Sequence, residues 1–305
     1  MRDSFPLGRM LKKHIPIFAG AFLLALGLML FSCRSPVNPD CQNMLTTVEK
    51  EAGWVLLFNG RNLKGWRGLG LNGIPKGHWV VEGGAIKNVP TQDVPKGKDG
   101  KPTRHFDLAT MALFEDFELC FEWKVGPGGN SGLKYNVSEE MSRAYAETKN
   151  AAIGFEYQIL DDTLNPDARL GPHRAAASLY DILPVSGSIL KPVGEYNAAR
   201  ILLNGNHGEH WLNGVKVLEY DLGTPLFAAR IAASKFKDIP GFAAKRRGHI
   251  VLQDHGDAVW FRNIKLRGFG PHQARDQSLP LQSERKVEKK IEQAFLKAMI
   301  GLEKD

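Results

Sequence analysis

Four groups of residues in this 305-residue chain have types and spacings suited to chemistry. In Phe155-Glu156-Tyr157-Gln158-Ile159 apolar and polar residues alternate, so a strand there turns Glu156 and Gln158 to one face and the apolar three to the other. A carboxylate so placed is a candidate base or metal ligand, and the alternation alone leaves its face open either to a cleft or to solvent. Gln253-Asp254-His255-Gly256-Asp257 ends an apolar stretch in turn residues, where a rigid scaffold aims side chains into a site. His255 has the chemistry of an acid/base or a cation ligand, and Asp257 reads as a turn former. His210-Trp211 supplies an imidazole beside a large ring suited to stacking or to core packing. Lys134, just after Gly132, is a cation that either stabilises developing negative charge or sits on the surface. Glu156, His210 and His255 together offer oxygen and nitrogen donors for a divalent cation; their spacing is not an H-x-x-x-H motif, and the metal's identity is open. Gly126-Pro127-Gly128-Gly129 lacks the strand-to-helix context of a phosphate loop, which excludes a nucleotide cofactor.

The elements that must position these groups read as strands. In residues 117–125 every odd position is large and apolar, a nine-residue period of two with one buried face. Shorter apolar or alternating runs recur at 54–58, 78–81, 200–203, 248–253 and 259–266, and Asn-Gly at 204–205 and 213–214 predicts two successive hairpins. Helical periodicity is almost absent between Gly53 and Arg267, so the pattern predicts an all-β, two-sheet sandwich or jelly roll. Two insertions break the rhythm: residues 90–105 are merely polar, whereas residues 220–247 mix aromatics with lysine and are the candidate lid. Residues 283–302 carry Val287, Ile291, Phe295, Leu296, Met299 and Ile300 at amphipathic helical spacing, with Ser283 placed to cap an appended C-terminal helix.

The N-terminus is an address. A basic stretch and an apolar run lead to Leu30-Phe31-Ser32-Cys33, a secretory leader whose ending resembles a bacterial lipobox with Cys33 as the lipidated residue, the alternative being a transmembrane anchor. The organisation expected is a signal peptide at 1–33, a tether at 34–52, the sandwich at 53–270 and the helical tail at 271–305. The protein is placed in the cell envelope, lipid-anchored to the membrane and facing the periplasm. The formal charge of +7 includes +3 from the leader, leaving +4 without a Lys/Arg stripe, which excludes a nucleic-acid partner. An oxidising compartment permits a bridge between Cys41, near the tether, and Cys120, within a strand, but their placement favours two free thiols.

Several stretches taken in order are specific. Trp54 to Gly60 (WVLLFNG) with Leu63 to Trp66 (LKGW), Pro127 to Tyr135 (PGGNSGLKY), Gly154 to Asp162 (GFEYQILDD), Ser178 to Asp181 (SLYD), Glu209 to Gly214 (EHWLNG) and Gly248 to Asp257 (GHIVLQDHGD), closing with Phe261 to Ile264 (FRNI), resemble the 3-keto-disaccharide hydrolase family. The resemblance spans roughly residues 53–267 and implies a concanavalin A-like lectin/glucanase sandwich acting on 3-keto-glycosides. A ketone at C3 makes the C2 hydrogen acidic, so a base can abstract it and expel the C1 substituent, after which water adds back. That route needs a base near C2, an electrophile at the C3 oxygen and an acid for the leaving oxygen, not the paired carboxylates of ordinary glycosidases. Sandwich glucanases place such carboxylates in Glu-x-Asp-x-x-Glu, whereas the comparable stretch here runs from Glu156 through Gln158 to Asp161.

On this resemblance Glu156, Lys134 and His255 are the expected catalytic centre, with Asn130, Ser131, Gln158, Tyr180, His210, Trp211 and Gln253 contacting the sugar. It also implies a partner sugar 3-dehydrogenase that makes the ketone. The competing reading is a non-catalytic carbohydrate-binding module of the same fold, and a third is a structural envelope protein assembling through its C-terminal helix.

Overall fold

A computed structural model describes residues 42–103, 105–145, 152–187, 189–244 and 247–269. The expected lipidation site at Cys33 and the expected C-terminal helix lie outside these residues. The larger antiparallel sheet runs β11 (Val215–Asp221), β10 (His207–Leu212), β9 (Asn197–Asn204), β6 (Phe117–Val125), β13 (Val259–Gly268), β4 (Ala85–Asn88) and β3 (Trp79–Glu82), with β1 (Trp54–Leu56) also on β13. The smaller sheet runs β2 (Trp66–Gly68), β5 (Leu108–Thr110), β12 (His249–Leu252), β7 (Asn130–Val137) and β8 (Phe155–Leu160).

The core lies between the sheets. The odd residues of β6 meet the odd residues of β7 and β8: Phe117 contacts Tyr135 edge-on at 6.2 Å and Phe121 contacts Tyr157 at 5.5 Å, pairs worth about 0.5–1.5 kcal/mol each beyond their buried area. Both hairpins form, and Asn213 and Gly214 take φ 48° and 89°, the conformation a two-residue turn between twisted strands requires.

Strand β6 departs from the expectation of one buried face, because Glu118 and Glu122 on its other face are buried too. Arg200 and Arg267 each reach Glu118 at 2.5 Å, and Arg262 reaches Glu122 at 2.7 Å. Pairing of this kind is what allows carboxylates to leave water.

Two expectations about the N-terminal region are corrected. Residues 42–52, assigned to a tether, are tied to the sandwich: Asn43 and Asn263 exchange backbone-to-side-chain hydrogen bonds at 2.6 and 2.9 Å, Asn43 Nδ2 donates to Gly84 at 2.8 Å, and the helix α1 (Thr47–Glu51) is held by an ion pair between Glu49 and Lys265. Cys120 is disulfide-bonded rather than free. It lies opposite Lys265 on the outer face of β6, and Cys41 lies outside the described residues.

The segment expected as a lid contains α2 (Pro225–Ala232), capped by Thr224 at 3.2 Å to the Phe227 amide. It is anchored by buried aromatics: Phe227 stacks on Tyr220 at 5.1 Å, Phe236 on Phe242 at 4.1 Å, and Phe242 meets Phe155 at 5.5 Å.

Candidate active site

The site is built on the outer face of the smaller sheet. The register pairs Ala109 with Val251, Val251 with Lys134 and Lys134 with Glu156, one row of side chains across four strands. Paired residues share a face, so Lys134 and Glu156 are turned from the core side by side, Nζ to Oε2 3.5 Å apart. Lys134 also donates to the Ala152 carbonyl at 3.2 Å, and the Ala152 amide in turn donates to Asp107 at 3.1 Å. The stem of the lysine rises from a small apolar cluster that includes Ala109, Ala152 and Val251. In the next row Gly132 pairs with Gln158. A Cβ at 132 would stand 2.3 Å from Glu156 Oε1 and 2.8 Å from its Cγ and Cδ, so the carboxylate occupies the space the glycine leaves.

Loops close over this face until Lys134 is 7% exposed, Glu156 4% and Gln158 1%. An ion pair so deeply buried costs desolvation that its attraction only partly offsets. Neither end of the Gln158 amide, nor Gln253 Oε1, has a hydrogen-bond partner among the described residues, and an unmet buried polar group costs about 1–3 kcal/mol. Unspent polarity beside a buried ion pair marks a place kept for a ligand.

A loop brace forms one wall. The Tyr180 amide donates to the Glu156 carbonyl at 3.0 Å, its hydroxyl donates to Asp167 at 2.8 Å, and Arg174 joins Asp167 to Asp181 at 2.8 Å each. Burial and the neighbouring Asp167 carboxylate push the Tyr180 phenol up, so it stays a neutral donor committed to Asp167. Asp181 takes φ 61°, a left-handed conformation its short polar side chain tolerates, and accepts from the Lys235 amide at 2.6 Å. Burial also raises Asp107, whose two oxygens serve the Asp254 and Ala152 amides.

Of the residues singled out by sequence, the structure brings together Glu156, Lys134, Gln158 and Gln253, with Tyr180 behind them. Asn130 leads into the same face, its amide held by Asp257 at 3.0 Å. Ser131 does not present its hydroxyl: it points inward, fully buried, and donates to the Gln253 carbonyl at 2.8 Å. His255 stands exposed on its turn with Asp257 3.9 Å away, and among the described residues no hydrogen bond ties it to Glu156 or Lys134.

The expectation for His210 and Trp211 is corrected. Both belong to β10 of the larger sheet. His210 shares the inner face with Ile201 and is fully enclosed between the Tyr135 hydroxyl at 2.8 Å and the Ala177 carbonyl at 2.9 Å. Burial lowers its pKa to about 4. Trp211 takes the outer face of that sheet, where it donates to Glu209 at 2.7 Å beneath the Arg200 guanidinium. Glu156, His210 and His255 therefore form no common metal-binding set. The described residues do gather His207, Glu209 and Glu219 with donor atoms within 4.8 Å, on the outer face of the larger sheet, but the Lys216 ammonium already binds Glu219 at 2.5 Å there and approaches Glu209 at 3.6 Å. Sequence reasoning passed over Gly132, Asp107 and Lys235; the Gly132-x-Lys134 spacing on a strand was the signal for the first.

Two facing antiparallel sheets with a polar site on the outer face of one define a concanavalin A-like lectin/glucanase sandwich. The 3-keto-alpha-glucoside-1,2-lyase-like domain matches residues 53–267. The chain belongs to that family and is an enzyme acting on glycosidic bonds. It is 37% identical over 234 residues to a 3-keto-disaccharide hydrolase of Bacteroides thetaiotaomicron, covering 70% of this chain and 78% of that one. Among solved structures it is similar to a candidate glycosyl hydrolase from Parabacteroides distasonis, with 29% identity, a TM-score of 0.63 and coverage of 75% of this chain and all of the other. A second such protein from the same organism matches at 26% identity, TM-score 0.52, over 71% of this chain and 99% of its own.

Proposed function

We propose that the protein cleaves 3-keto-glucosides and 3-keto-disaccharides by elimination at C1 and C2 followed by hydration. The observation that carries this reading is the Glu156–Lys134 pair, 3.5 Å apart on one covered face. In a 3-keto sugar, C2 and the C3 oxygen are neighbours, so a base for one and an electrophile for the other must lie within a few ångströms. Glu156 takes the C2 proton while Lys134 holds the charge that gathers on the C3 oxygen. The C1–oxygen bond then breaks with its electron pair leaving on the aglycone oxygen, which acquires a proton. The product is a 2-hydroxy enone, to which water adds at C1 while Glu156, its proton exchanged with solvent during the lifetime of the enone, protonates C2, for net hydrolysis. Gln158 and Gln253 supply donors and acceptors for sugar hydroxyls.

The carboxylates around the site favour this route over ordinary glycoside hydrolysis. Gln158 cannot act as the second carboxylic acid. Asp161 is spent on the amides of Gly128, Thr163 and Leu164, at 2.7, 3.0 and 3.2 Å. The leader ending in Leu30-Phe31-Ser32-Cys33 supports a periplasm-facing lipoprotein anchored through Cys33, and the elimination implies a sugar 3-dehydrogenase, because the ketone must be made before it can be used.

Replacing Glu156 by Gln tests the proposal. The variant should lose turnover of a 3-keto-glucoside while still binding the sugar, since the amide keeps shape and hydrogen bonding but cannot take a proton at neutral pH. Turnover retained by Glu156→Gln would remove Glu156 from the base role, and equal cleavage of the unoxidised parent glucoside would remove the elimination route.

A further inference from the structure

Glu156 and Lys134 serve C2 and C3, which leaves the glycosidic oxygen in need of a proton donor. The loop after α2 presents one. Lys235 sits in a tight turn whose ends are fixed: the Ser234 hydroxyl donates to the Ile231 carbonyl at 2.8 Å and accepts from the Phe236 amide at 3.1 Å, and Phe236 is stacked on Phe242. Its own amide is held by Asp181 at 2.6 Å, and its ammonium lies 4.1 Å from the centre of the Tyr180 ring. That ring belongs to the residue whose amide binds the Glu156 carbonyl, so Lys235 stands over the wall adjoining the base.

The ammonium has no carboxylate at ion-pair distance among the described residues, although it feels both the attraction of Glu156 and the repulsion of Lys134. The residue is also exposed on its outer side, as a group meeting an aglycone at the mouth of the site must be. Tyr180 is committed to Asp167, and the His255 ring has its contact with Asp257 at 3.9 Å, whereas Lys235 lies against the Tyr180 ring that adjoins the base.

We infer that Lys235 is the general acid that protonates the leaving glycosidic oxygen, an assignment that rests on the elimination reading above. As the C1–oxygen bond breaks, the aglycone oxygen takes a proton from the Lys235 ammonium and departs as the neutral alcohol. The amine that remains then takes a proton from the water adding at C1, while Glu156 protonates C2, and both groups regain their starting states. Crowding of the ammonium by protein lowers its pKa, the direction that eases donation near neutral pH.

Leaving-group dependence tests the assignment. Alkyl or sugar leaving groups need protonation to depart, whereas 4-nitrophenoxide does not. Lys235→Ala should lose about 100-fold or more in kcat/KM on an alkyl 3-keto-glucoside, the usual contribution of a general acid, but only a few-fold on the 4-nitrophenyl compound. Lys235→Arg keeps the charge without a transferable proton and should restore neither rate pattern. Equal losses on both substrates, an undiminished alkyl rate in Lys235→Ala, or rescue by arginine would each overturn the assignment. Failure of the underlying reading looks different: the wild-type protein would then cleave neither 3-keto compound, or would do so without Glu156.

Discussion

Replacing Gly132 by Ala should disable the enzyme while leaving it folded. The glycine has no positive φ, so the backbone accepts alanine without strain. The new Cβ, however, would fall 2.3 Å from Glu156 Oε1 and 2.8 Å from Cγ and Cδ. Ordinary contact begins near 3.4 Å, so the whole carboxylate arm must retreat by about 1 Å or rotate away from Lys134. Overpacking of this kind costs about 1–3 kcal/mol, towards the low end here because a side-chain arm yields more readily than backbone. Misplacement of a reacting group by about 1 Å costs about 100-fold in rate. Urea unfolding and turnover of a 3-keto-glucoside, measured on the same preparation, read both quantities. A double-mutant cycle with Glu156→Ala adds a control, because removing the arm removes the clash and should return most of the lost stability. A Gly132→Ala enzyme within twofold of wild-type kcat/KM would refute the claim that the position of this carboxylate governs the reaction.

Other consequences follow from the core and from the clasped N-terminal segment. His210 releases its proton in the unfolded chain near pH 6.5 but in the folded protein only near 4, so between those values unfolding takes up a proton and acid favours the unfolded state. Its contribution is complete above pH 6.5 and falls away by up to about 3 kcal/mol on acidification to pH 4; a His210→Gln variant should show a correspondingly shallower loss in urea titrations across that window, and an identical slope would contradict the burial argument. Reduction, or Cys120→Ser, should lower unfolding free energy by about 2–4 kcal/mol with little effect on the rate constants, since Cys120 lies on the sheet opposite the site. An unchanged melting temperature under reducing conditions would show that the bridge adds nothing to stability.

Much of the architecture was legible because period two is a local signal. The odd positions of residues 117–125 point to the core as the alternation requires, and the same parity turned Glu156 and Gln158 away from it. Parity also held the answer for β10. His210 alternates with Leu212 and belongs inside, leaving Glu209 and Trp211 outside, but the pairing with Ile201 and Arg200 that makes this plain is a long-range fact of register. Ser131 shares the inward parity of Leu133 and Tyr135 for the same reason. What could not be read was tertiary. The side chain of Asn43 clasps the N-terminal segment to Asn263 and Gly84, the loop brace through Asp181 set Lys235 over Tyr180, and the chain from Asp107 through Ala152 to Lys134 joins residues far apart in sequence. The family motifs supplied the candidates, and register decided which of them share the face of Lys134 and Glu156.

The most direct test of the elimination is to run cleavage of a 3-keto-glucoside in deuterium oxide and examine C2 of the released 3-keto-glucose. The expected result is deuterium at C2 in the product, a slowed reaction for substrate already deuterated at C2, and no reaction of the unoxidised glucoside, with all turnover lost in Glu156→Gln. A C2-deuterated substrate turned over at the undeuterated rate, with its label still at C2 in the product, would contradict proton abstraction at C2 and return the chemistry to direct displacement at C1.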